Sequence, residues 1–105
     1  MKFLIIDGNK TYYMVSPEGD IINKKTNRLL KGTIRNGYRM VKLTINGIKK
    51  DYLIHRLVAM MYVPNPLNLP QVNHKDKNRQ NNCYTNLEWV SFQNNMKHRS
   101  ASLSN

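Results

Sequence analysis

The sequence predicts an α+β fold: an antiparallel β-meander, then a short helix, then a strand, a long polar loop, a second strand and a terminal helix. Three observations predict it. Residues 36–37 and 46–47 are both Asn-Gly, a dipeptide typical of tight hairpin turns, and the runs around them alternate apolar and polar residues. Apolar residues at 55–63 recur instead with the period of a helix. The chain has 105 residues, 40% of them hydrophobic, which is enough for one modest core.

The first half is expected to contain short strands separated by turns. Each strand is assigned to a β-prone run bounded by turn residues, such as the segment SPEGD at 16–20. In the strand that follows the first Asn-Gly turn, two sets of residues could form the core face. One set is Tyr38, Met40 and Leu43, and the other is Val41 and Leu43. The predicted strands cover residues 12–15, 21–23, 29–33, 38–44 and 48–54.

The second half is expected to begin with a short buried helix, which Pro64 and Pro66 end. Ser91 is well placed to cap a terminal helix. We expect a β-sheet module at 1–54 and a second module at 55–105, packed together as one compact unit. The elements from residue 55 onward are expected in this order: a helix at 55–63, a strand at 72–74, a polar loop at 75–86, a strand at 87–91 and a helix at 92–99.

Basic residues outnumber acidic residues by 17 to 6, which gives a net charge of +11. The excess is concentrated in residues 21–60, where ten basic side chains accompany Asp51 alone. This favours contact with nucleic acid over a face that only keeps the protein in solution. We expect the basic residues of the meander to line one surface, and a second basic group offers an alternative track. The first group is Lys24, Lys25, Arg35, Arg39, Lys42, Lys49 and Lys50, and the second is Lys75, Lys77, Arg79 and Lys97.

Several classes of protein are disfavoured by composition. No apolar run approaches the roughly 20 residues that a membrane-spanning helix needs. The apolar stretch after Lys2 is four residues long and ends at Asp7, which is too short for a secretory signal. Cys83 is the single cysteine, so an internal disulfide framework and a Cys-rich zinc site are excluded. We therefore expect a protein of a reducing, cytoplasmic compartment with no membrane partner.

A specific spacing of polar residues marks the second half. His74 ends a predicted strand, Asn86 lies 12 positions later at the loop exit, and Asn95 lies 9 positions further on in the predicted helix. Together with the segments PQVNHKD at 70–76 and NLEWVS at 86–91, this spacing resembles the HNH endonucleases, also called ββα-metal or His-Me finger nucleases.

Other segments extend the resemblance over about residues 11–99. The segments HRLVA at 55–59 and PNP at 64–66 are similar to a phage and intron homing-type subgroup. The segment YYMVS at 12–16 looks like the NUMOD4-like β module that is often placed ahead of these nucleases. The resemblance implies a metal-dependent endonuclease that nicks or cleaves double-stranded DNA in a bacterial or phage-infected cell, as a monomer or homodimer.

The resemblance also implies roles for individual residues. His74 would be the base that activates water, and Asn73 and Asn95 would bind one divalent metal ion. Mg²⁺ is the expected ion, with Mn²⁺ and Zn²⁺ as alternatives. Asn86 would fix the polar loop by side-chain-to-backbone hydrogen bonds. The family commonly has Asp or His where this chain has the neutral Asn73.

The residue types suit that chemistry without the family. Hydrolysing a phosphodiester requires a base for the attacking water and a cation for the developing charge. An imidazole ordinarily titrates near pH 6.5, so a histidine such as His74 can serve as a neutral base. The amide oxygens of Asn73 and Asn95 are suitable ligands for a hard divalent cation.

Four further residues are candidates for the site. Asn94 competes with Asn95 for the helix register. His98 is expected to be a cation at the helix end, with an additional ligand or a phosphate contact as alternatives. His55 is expected to make structural hydrogen bonds, whereas Arg56 could reach a phosphate near the site.

Two other functions stay open at this stage. The chain could be a DNA-binding protein that keeps the HNH fold but no longer binds metal at Asn73. Alternatively, it could be an RNA-binding module, because its basic sheet carries tyrosines that could stack on bases. Those tyrosines are Tyr12, Tyr13, Tyr38 and Tyr52.

Overall fold

The computed structural model of the protein describes residues 1–91. Within that range the chain forms one α-helix and nine strands, and the strands are arranged in three antiparallel sheets. This confirms the predicted α+β fold with its N-terminal meander. The terminal helix predicted at 92–99 lies outside the described residues. The same is true of four candidate site residues, Asn94, Asn95, Lys97 and His98.

The first sheet is a four-stranded meander in which each strand pairs with the next along the chain. Sequence analysis did not assign its first strand. Asp7 and Gly8, both with positive φ, form the tight turn that joins this strand to the second. Asp-Gly is a hairpin signal of the same kind as Asn-Gly, so the clue was present in the sequence. The strands are β1 (Lys2–Ile6), β2 (Asn9–Val15), β3 (Ile21–Asn23) and β4 (Arg28–Leu30).

The second sheet contains β5 (Thr33–Arg35), β6 (Tyr38–Ile45) and β7 (Ile48–Leu53). Both Asn-Gly dipeptides form the turns between these strands, with positive φ at all four residues. Val41 and Leu43 are buried on the core face of β6. Alternation then places Tyr38 and the other even-numbered residues of β6 on the opposite face of the sheet.

The single strand predicted at 29–33 is wrong, because two strands of different sheets occupy that segment. β4 ends at Leu30 and β5 begins at Thr33. Between them, Gly32 has a φ of 68° and lies so close to β6 that a Cβ atom there would overlap the carbonyl oxygen of Met40. Glycine is the residue that tolerates both conditions. The predicted meander is therefore divided at Gly32 into two sheets.

The helix α1 (Ile54–Tyr62) follows β7 without a loop, one residue earlier than predicted. The third sheet is a hairpin of β8 (Gln71–His74) and β9 (Leu87–Val90). A 3₁₀ turn, Tyr84–Asn86, ends the long loop between them. The helix contacts all three sheets, so residues 1–91 share one hydrophobic core. Its fully buried members include Leu4, Val15, Ile21, Leu43, Ile54, Leu57, Val58 and Leu87.

Polar atoms at the edge of the core join elements that are distant in sequence. The Tyr62 hydroxyl donates to the carbonyl oxygen of Val15 at 2.6 Å, and the indole N–H of Trp89 donates to that of Val63 at 3.1 Å. Each bond satisfies a polar atom of a largely apolar side chain. No helix in residues 1–91 has the length and apolar character needed to cross a membrane.

Candidate active site and nucleic-acid surface

His74 lies at the end of β8, on the core side of the hairpin with Leu87, its partner on β9. The residue is 5% exposed, and its Nε2 atom lies 3.0 Å from Oδ1 of Asn82. An amide oxygen only accepts hydrogen bonds, so Nε2 must donate its proton. In the neutral ring the lone pair is therefore on Nδ1, which is the nitrogen able to accept a proton.

Asn82 is a site residue that sequence analysis missed. It belongs to the loop between β8 and β9 and is 5% exposed. A Cβ atom at Gly19 would lie 3.0 Å from Cβ of Asn82, so the turn at 16–20 packs closely against it. The backbone N–H of Tyr84 also donates to the carbonyl oxygen of Pro17 at 2.8 Å. Because the loop is rich in asparagine, nothing in its sequence distinguished this amide from its neighbours.

Asn86 and Asp76 organise the same loop. The side chain of Asn86 accepts from the backbone N–H of Asp76 at 3.0 Å and donates to the carbonyl oxygen of Asn81 at 2.9 Å. Its Nδ2 also donates to the Asp76 carboxylate at 2.9 Å. Hydrogen bonds from the side chain of Asn81 and the backbone of Asn78 lower the pKa of Asp76 below its usual value. Asn86 thus makes the expected side-chain-to-backbone hydrogen bonds, and these bonds hold the loop between β8 and β9 in place.

Three aromatic rings are packed together beside the loop. The ring centroid of His55 lies 4.7 Å from that of His74 and 5.2 Å from that of Tyr38. The guanidinium of Arg79 lies 4.8 Å from the centroid of the Tyr38 ring, and its Nη1 donates to the carbonyl oxygen of Asn36 at 3.1 Å. This packing joins β6, α1, β8 and the loop around the imidazole of His74.

His55 differs from the sequence-based expectation. It is 5% exposed, and its Nδ1 atom has no hydrogen-bond partner among residues 1–91. Burial, the largest cause, and the neighbouring His74 and Arg56 together lower the pKa of His55 to about 4. The ring is therefore neutral near pH 7, and it contributes packing against His74 rather than charge.

Asn73 lies on the other face of the β8–β9 hairpin, because adjacent residues of a strand project to opposite faces. Its partner across the hairpin is Glu88, and Nδ2 of Asn73 donates to Oε1 of Glu88 at 3.3 Å. The hairpin therefore separates Asn73 from the imidazole of His74. A group that both residues touch has to lie at the end of the hairpin, beyond the last pair of β8.

The donors around Asn73 suit a hard divalent cation. The amide oxygen of Asn73 and the carboxylate of Glu88 are ligands of the type that Mg²⁺ prefers. Within residues 1–91 no three His, Cys, Asp or Glu side chains are grouped as metal ligands. The ligand expected from the terminal helix, Asn95, lies outside that range.

Arg56 connects α1 to the start of β8. Its Nη1 donates to the carbonyl oxygen of Pro70 at 2.8 Å, and its guanidinium lies 5.7 Å from the centroid of the Trp89 ring. The side chain is partly exposed. In this arrangement, Arg56 holds the hairpin against the helix.

The basic residues of the second sheet do not share one face, so that expectation is wrong. In β6 and β7, Thr44 pairs with Lys49 and Leu43 pairs with Lys50. Paired residues share a face and successive residues alternate, so Lys49 and Lys50 project to opposite sides. Arg39 lies with Lys50 on the side of Val41 and Leu43. Its guanidinium donates to the backbone carbonyl oxygen of Lys31.

The opposite side of this sheet, here called the outer face, carries Arg35, Tyr38, Lys42 and Lys49. Arg35 forms an ion pair with Asp51 at 3.7 Å, and the other two basic residues are exposed. Tyr38 also contacts His55, so the outer face begins next to His74 and continues away from it along β6 and β7.

The remaining basic candidates lie in loops. Lys24 and Lys25 belong to the turn between β3 and β4, and Nζ of Lys25 lies 4.5 Å from the centroid of the Tyr12 ring. Lys75 and Lys77 are exposed in the loop after β8. Arg79, from the same loop, is held against Tyr38 as described above.

Two family models match adjacent parts of the chain. Residues 52–97 match the model described as HNH endonuclease, and residues 1–44 match the model described as NUMOD4 motif. The first match contains α1, the β8–β9 hairpin and His74. The second contains the first sheet, β5 and most of β6.

Similar curated proteins are named as HNH or DNA endonucleases. An uncharacterized HNH endonuclease, L245 of Acanthamoeba polyphaga mimivirus, is 45% identical over 91 residues, which cover 86% of this chain and 28% of that protein. DNA endonuclease I-HmuI of Bacillus phage SP01 is 34% identical over 100 residues, covering 94% of this chain and 58% of that protein. H-N-H endonuclease F-TflI of Escherichia phage T5 is 37% identical over 83 residues, covering 75% and 42%.

A solved structure agrees with these relatives. The structure of the HNH homing endonuclease I-HmuI, described as showing DNA binding and cleavage, superposes with a TM-score of 0.80 at 34% identity. The superposition covers 97% of this chain and 59% of that one. The chain thus spans less than two thirds of the length of these relatives. By its two model matches, its fold and its relatives, the chain belongs to the HNH endonuclease family.

Proposed function

We propose that this chain binds double-stranded DNA and hydrolyses its phosphodiester bonds, by nicking or by double-strand cleavage, with the help of a divalent metal ion. The observation that carries the proposal is the geometry of His74. Its Nε2 proton is held by Asn82, and this leaves Nδ1 as the proton acceptor at the end of a hairpin. Family membership provides the reaction class, and the geometry provides an atom that can perform its first step.

In the proposed reaction, Nδ1 of His74 accepts a proton from the attacking water, and the water oxygen bonds to phosphorus while the bond from phosphorus to the 3′ oxygen breaks. The leaving 3′ oxygen then takes a proton from solvent. Asn82 keeps the imidazole oriented while the charge on the ring increases, because its oxygen remains bonded to Nε2–H. His55 stays neutral beside it, so it adds no positive charge that would oppose protonation of His74. Removal of the Nε2 partner should therefore affect the orientation and the basicity of His74 together.

Asn73 is the proposed cation ligand on the opposite face of the hairpin, with Asn95 as the second on the basis of the resemblance. A bound Mg²⁺ would stabilise negative charge on the phosphate and on the leaving 3′ oxygen. Asn73 and His74 leave opposite faces of β8, so the scissile phosphate is proposed to lie at the hairpin end, between them. Two neutral amides attract a cation weakly, and the DNA phosphates are expected to supply most of the negative charge.

The DNA is proposed to follow the outer face away from this site. Lys42 and Lys49 are exposed there, and Arg35 lies at its edge. Side chains of this kind neutralise phosphates and do not read base sequence. Lys75 and Lys77, in the loop after β8, would continue the basic surface on the other side of His74.

The loss of a charged ligand at Asn73 favours one alternative, a DNA-binding protein of the same fold without catalytic activity. The RNA-binding alternative has less support from the geometry, since two of the four tyrosines are already engaged. Tyr13 is 4% exposed, and the ring of Tyr38 contacts both the guanidinium of Arg79 and the ring of His55.

Relaxation of supercoiled plasmid DNA tests the proposal. The protein is incubated with plasmid in Mg²⁺, in Mn²⁺ and in excess chelator, and the substitution His74→Ala serves as the matched control. We expect nicked or linear product that requires both the ion and His74. Binding to duplex DNA without any metal-dependent cleavage would favour the inactive alternative, and preferential displacement of the duplex by RNA would favour the RNA-binding one.

A further inference from the structure

Asn73 and Glu88 form a hydrogen-bonded pair on the β8–β9 hairpin. The two residues are direct partners across β8 and β9, and both are partly exposed on the face away from His74. Nδ2 of Asn73 lies 3.3 Å from Oε1 of Glu88. The neighbouring pair on the same face is Gln71 with Val90, so Glu88 is the acidic residue of this face.

This contact fixes the orientation of the Asn73 amide. An ionised carboxylate only accepts hydrogen bonds, so the amide must present its NH₂ group to Glu88. The amide oxygen is then turned away from the carboxylate. Because a cation is bound by the oxygen and repelled by the NH₂ group, the side chain of Glu88 determines whether Asn73 can act as a ligand at all.

In the part of the chain that the structure describes, Glu88 forms no ion pair with a basic side chain. Its side-chain hydrogen bond within that range is the one from Nδ2 of Asn73. No basic side chain among residues 1–91 therefore competes with the Asn73 amide for this carboxylate.

We propose that Glu88 is a positioning residue for the cation site, where it holds the Asn73 amide so that Oδ1 faces the metal ion. The inference rests on the proposed function, in which Asn73 is a ligand. It adds Glu88 as a residue that orients the ligand Asn73. It also explains how a neutral amide can bind the cation at a position where the family commonly has Asp or His. Outer-shell partners of this kind typically affect metal affinity by 10–100-fold.

The test measures Mn²⁺ binding to the full chain by the loss of the free Mn²⁺ signal in electron paramagnetic resonance. Glu88→Ala removes the acceptor, whereas Glu88→Gln can still accept from the amide through its own oxygen. Gln71→Ala is the matched control, because it lies on the same face one pair away. The same series is repeated with Asn73→Asp, since a carboxylate needs no orientation to present an oxygen.

We expect Glu88→Ala to raise the Mn²⁺ dissociation constant about tenfold, and Glu88→Gln and Gln71→Ala to change it by less than about threefold. In the Asn73→Asp background, Glu88→Ala should raise the constant no more than Glu88→Gln does in the wild-type background, because a carboxylate at position 73 needs no orienting partner and only the charge of Glu88 is lost. The side-chain amide resonances of Asn73 should shift in Glu88→Ala without metal, which confirms the hydrogen bond independently of binding.

Three results would overturn the inference. If Asn73→Ala weakens Mn²⁺ binding but Glu88→Ala does not, the positioning role fails while the proposed ligand role of Asn73 stands. Equal weakening by Glu88→Ala in the wild-type and Asn73→Asp backgrounds would make Glu88 a direct ligand instead. If Asn73→Ala leaves Mn²⁺ binding unchanged, the ligand assignment in the proposed function fails, and this inference fails with it.

Discussion

The ring of His55 lies against the ring of His74, with centroids 4.7 Å apart and planes inclined at 55°. One ring belongs to the first turn of α1 and the other to the last residue of β8, so the contact joins the core helix to the hairpin of the candidate site. Two adjacent imidazoles cannot both carry charge cheaply in a buried position. The low pKa of His55, about 4, keeps this ring neutral near pH 7, so the contact places no positive charge beside His74.

His55 makes the stability of the protein depend on pH. Its pKa is about 4 in the folded chain, against an ordinary value of 6.5. Between these values the unfolded state binds more protons, so stability is full above pH 6.5 and decreases as the pH falls toward 4. The upper limit is about 3 kcal/mol, from 1.36 kcal/mol per pKa unit.

Urea unfolding at several pH values between 7.5 and 4.5 measures this effect. His55→Gln should flatten the dependence in that range. Asp76 contributes at lower pH, because the folded protein holds its pKa below the ordinary carboxyl value. An unchanged slope in His55→Gln would show that other groups cause the loss of stability.

Asn82 should matter for rate more than for stability or DNA affinity. Asn82→Ala removes the acceptor of the Nε2 proton, so the His74 ring loses its fixed tautomer, and we expect the single-turnover cleavage rate to fall by about 10–100-fold. Asn82→Asp keeps an acceptor at the same place and should retain more activity than Asn82→Ala. The rates are measured on saturating duplex DNA, with melting temperatures as a check on folding. Equal rates for wild type and Asn82→Ala would remove this hydrogen bond from the mechanism.

Changes at the proposed ligands should alter the metal requirement. Asn73→Asp should keep activity and lower the Mg²⁺ concentration that gives half-maximal cleavage, because a carboxylate adds charge next to a hard cation. Asn95→Ala should lose activity more severely than Asn94→Ala. Titration of Mg²⁺ in the plasmid assay measures both effects. If Asn94 proves to be the sensitive position, the helix register expected from the sequence is displaced by one residue.

Lys49 and Lys50 form a matched pair for the proposed DNA surface, because they are adjacent in β7 and project to opposite sides. Lys49→Gln, on the outer face, should weaken binding to all duplex sequences alike and reduce the log–log salt slope by about 0.9. Lys50→Gln should change affinity less. Fluorescence anisotropy between about 50 and about 200 mM salt measures both slopes. A larger effect for Lys50 would place the DNA on the other side of the sheet.

The sequence predicted those features of the fold that depend on local chemistry. The two Asn-Gly turns, the Pro-terminated helix and the hairpin around the polar loop follow from dipeptides and periodicity. β1 was missed, because its apolar run does not alternate and the Asp7-Gly8 signal was not used. The division at Gly32 depends on how closely two strands approach, and that distance has no signature in a short window of sequence.

The candidate site shows the same limit. Spacing and resemblance selected His74, Asn86 and Asn73, each within a recognisable segment. Asn82 and Glu88 could not be found in this way, because one depends on the path of a loop and the other on the register of β8 with β9. Adjacent residues of a strand project to opposite faces, so Lys49 and Lys50 of β7 could not both lie on one basic surface. The sequence-based expectation did not take this alternation into account.

The role of His74 as the base for phosphodiester hydrolysis is tested by single-turnover cleavage with His74→Ala. The assay uses radiolabelled duplex DNA at a saturating concentration of protein in Mg²⁺, with affinity measured separately in chelator. We expect the substitution to lower the cleavage rate by about 10²–10⁴-fold, the usual contribution of a general base, and to leave the DNA dissociation constant nearly unchanged. Cleavage by His74→Ala at close to the wild-type rate would contradict that role.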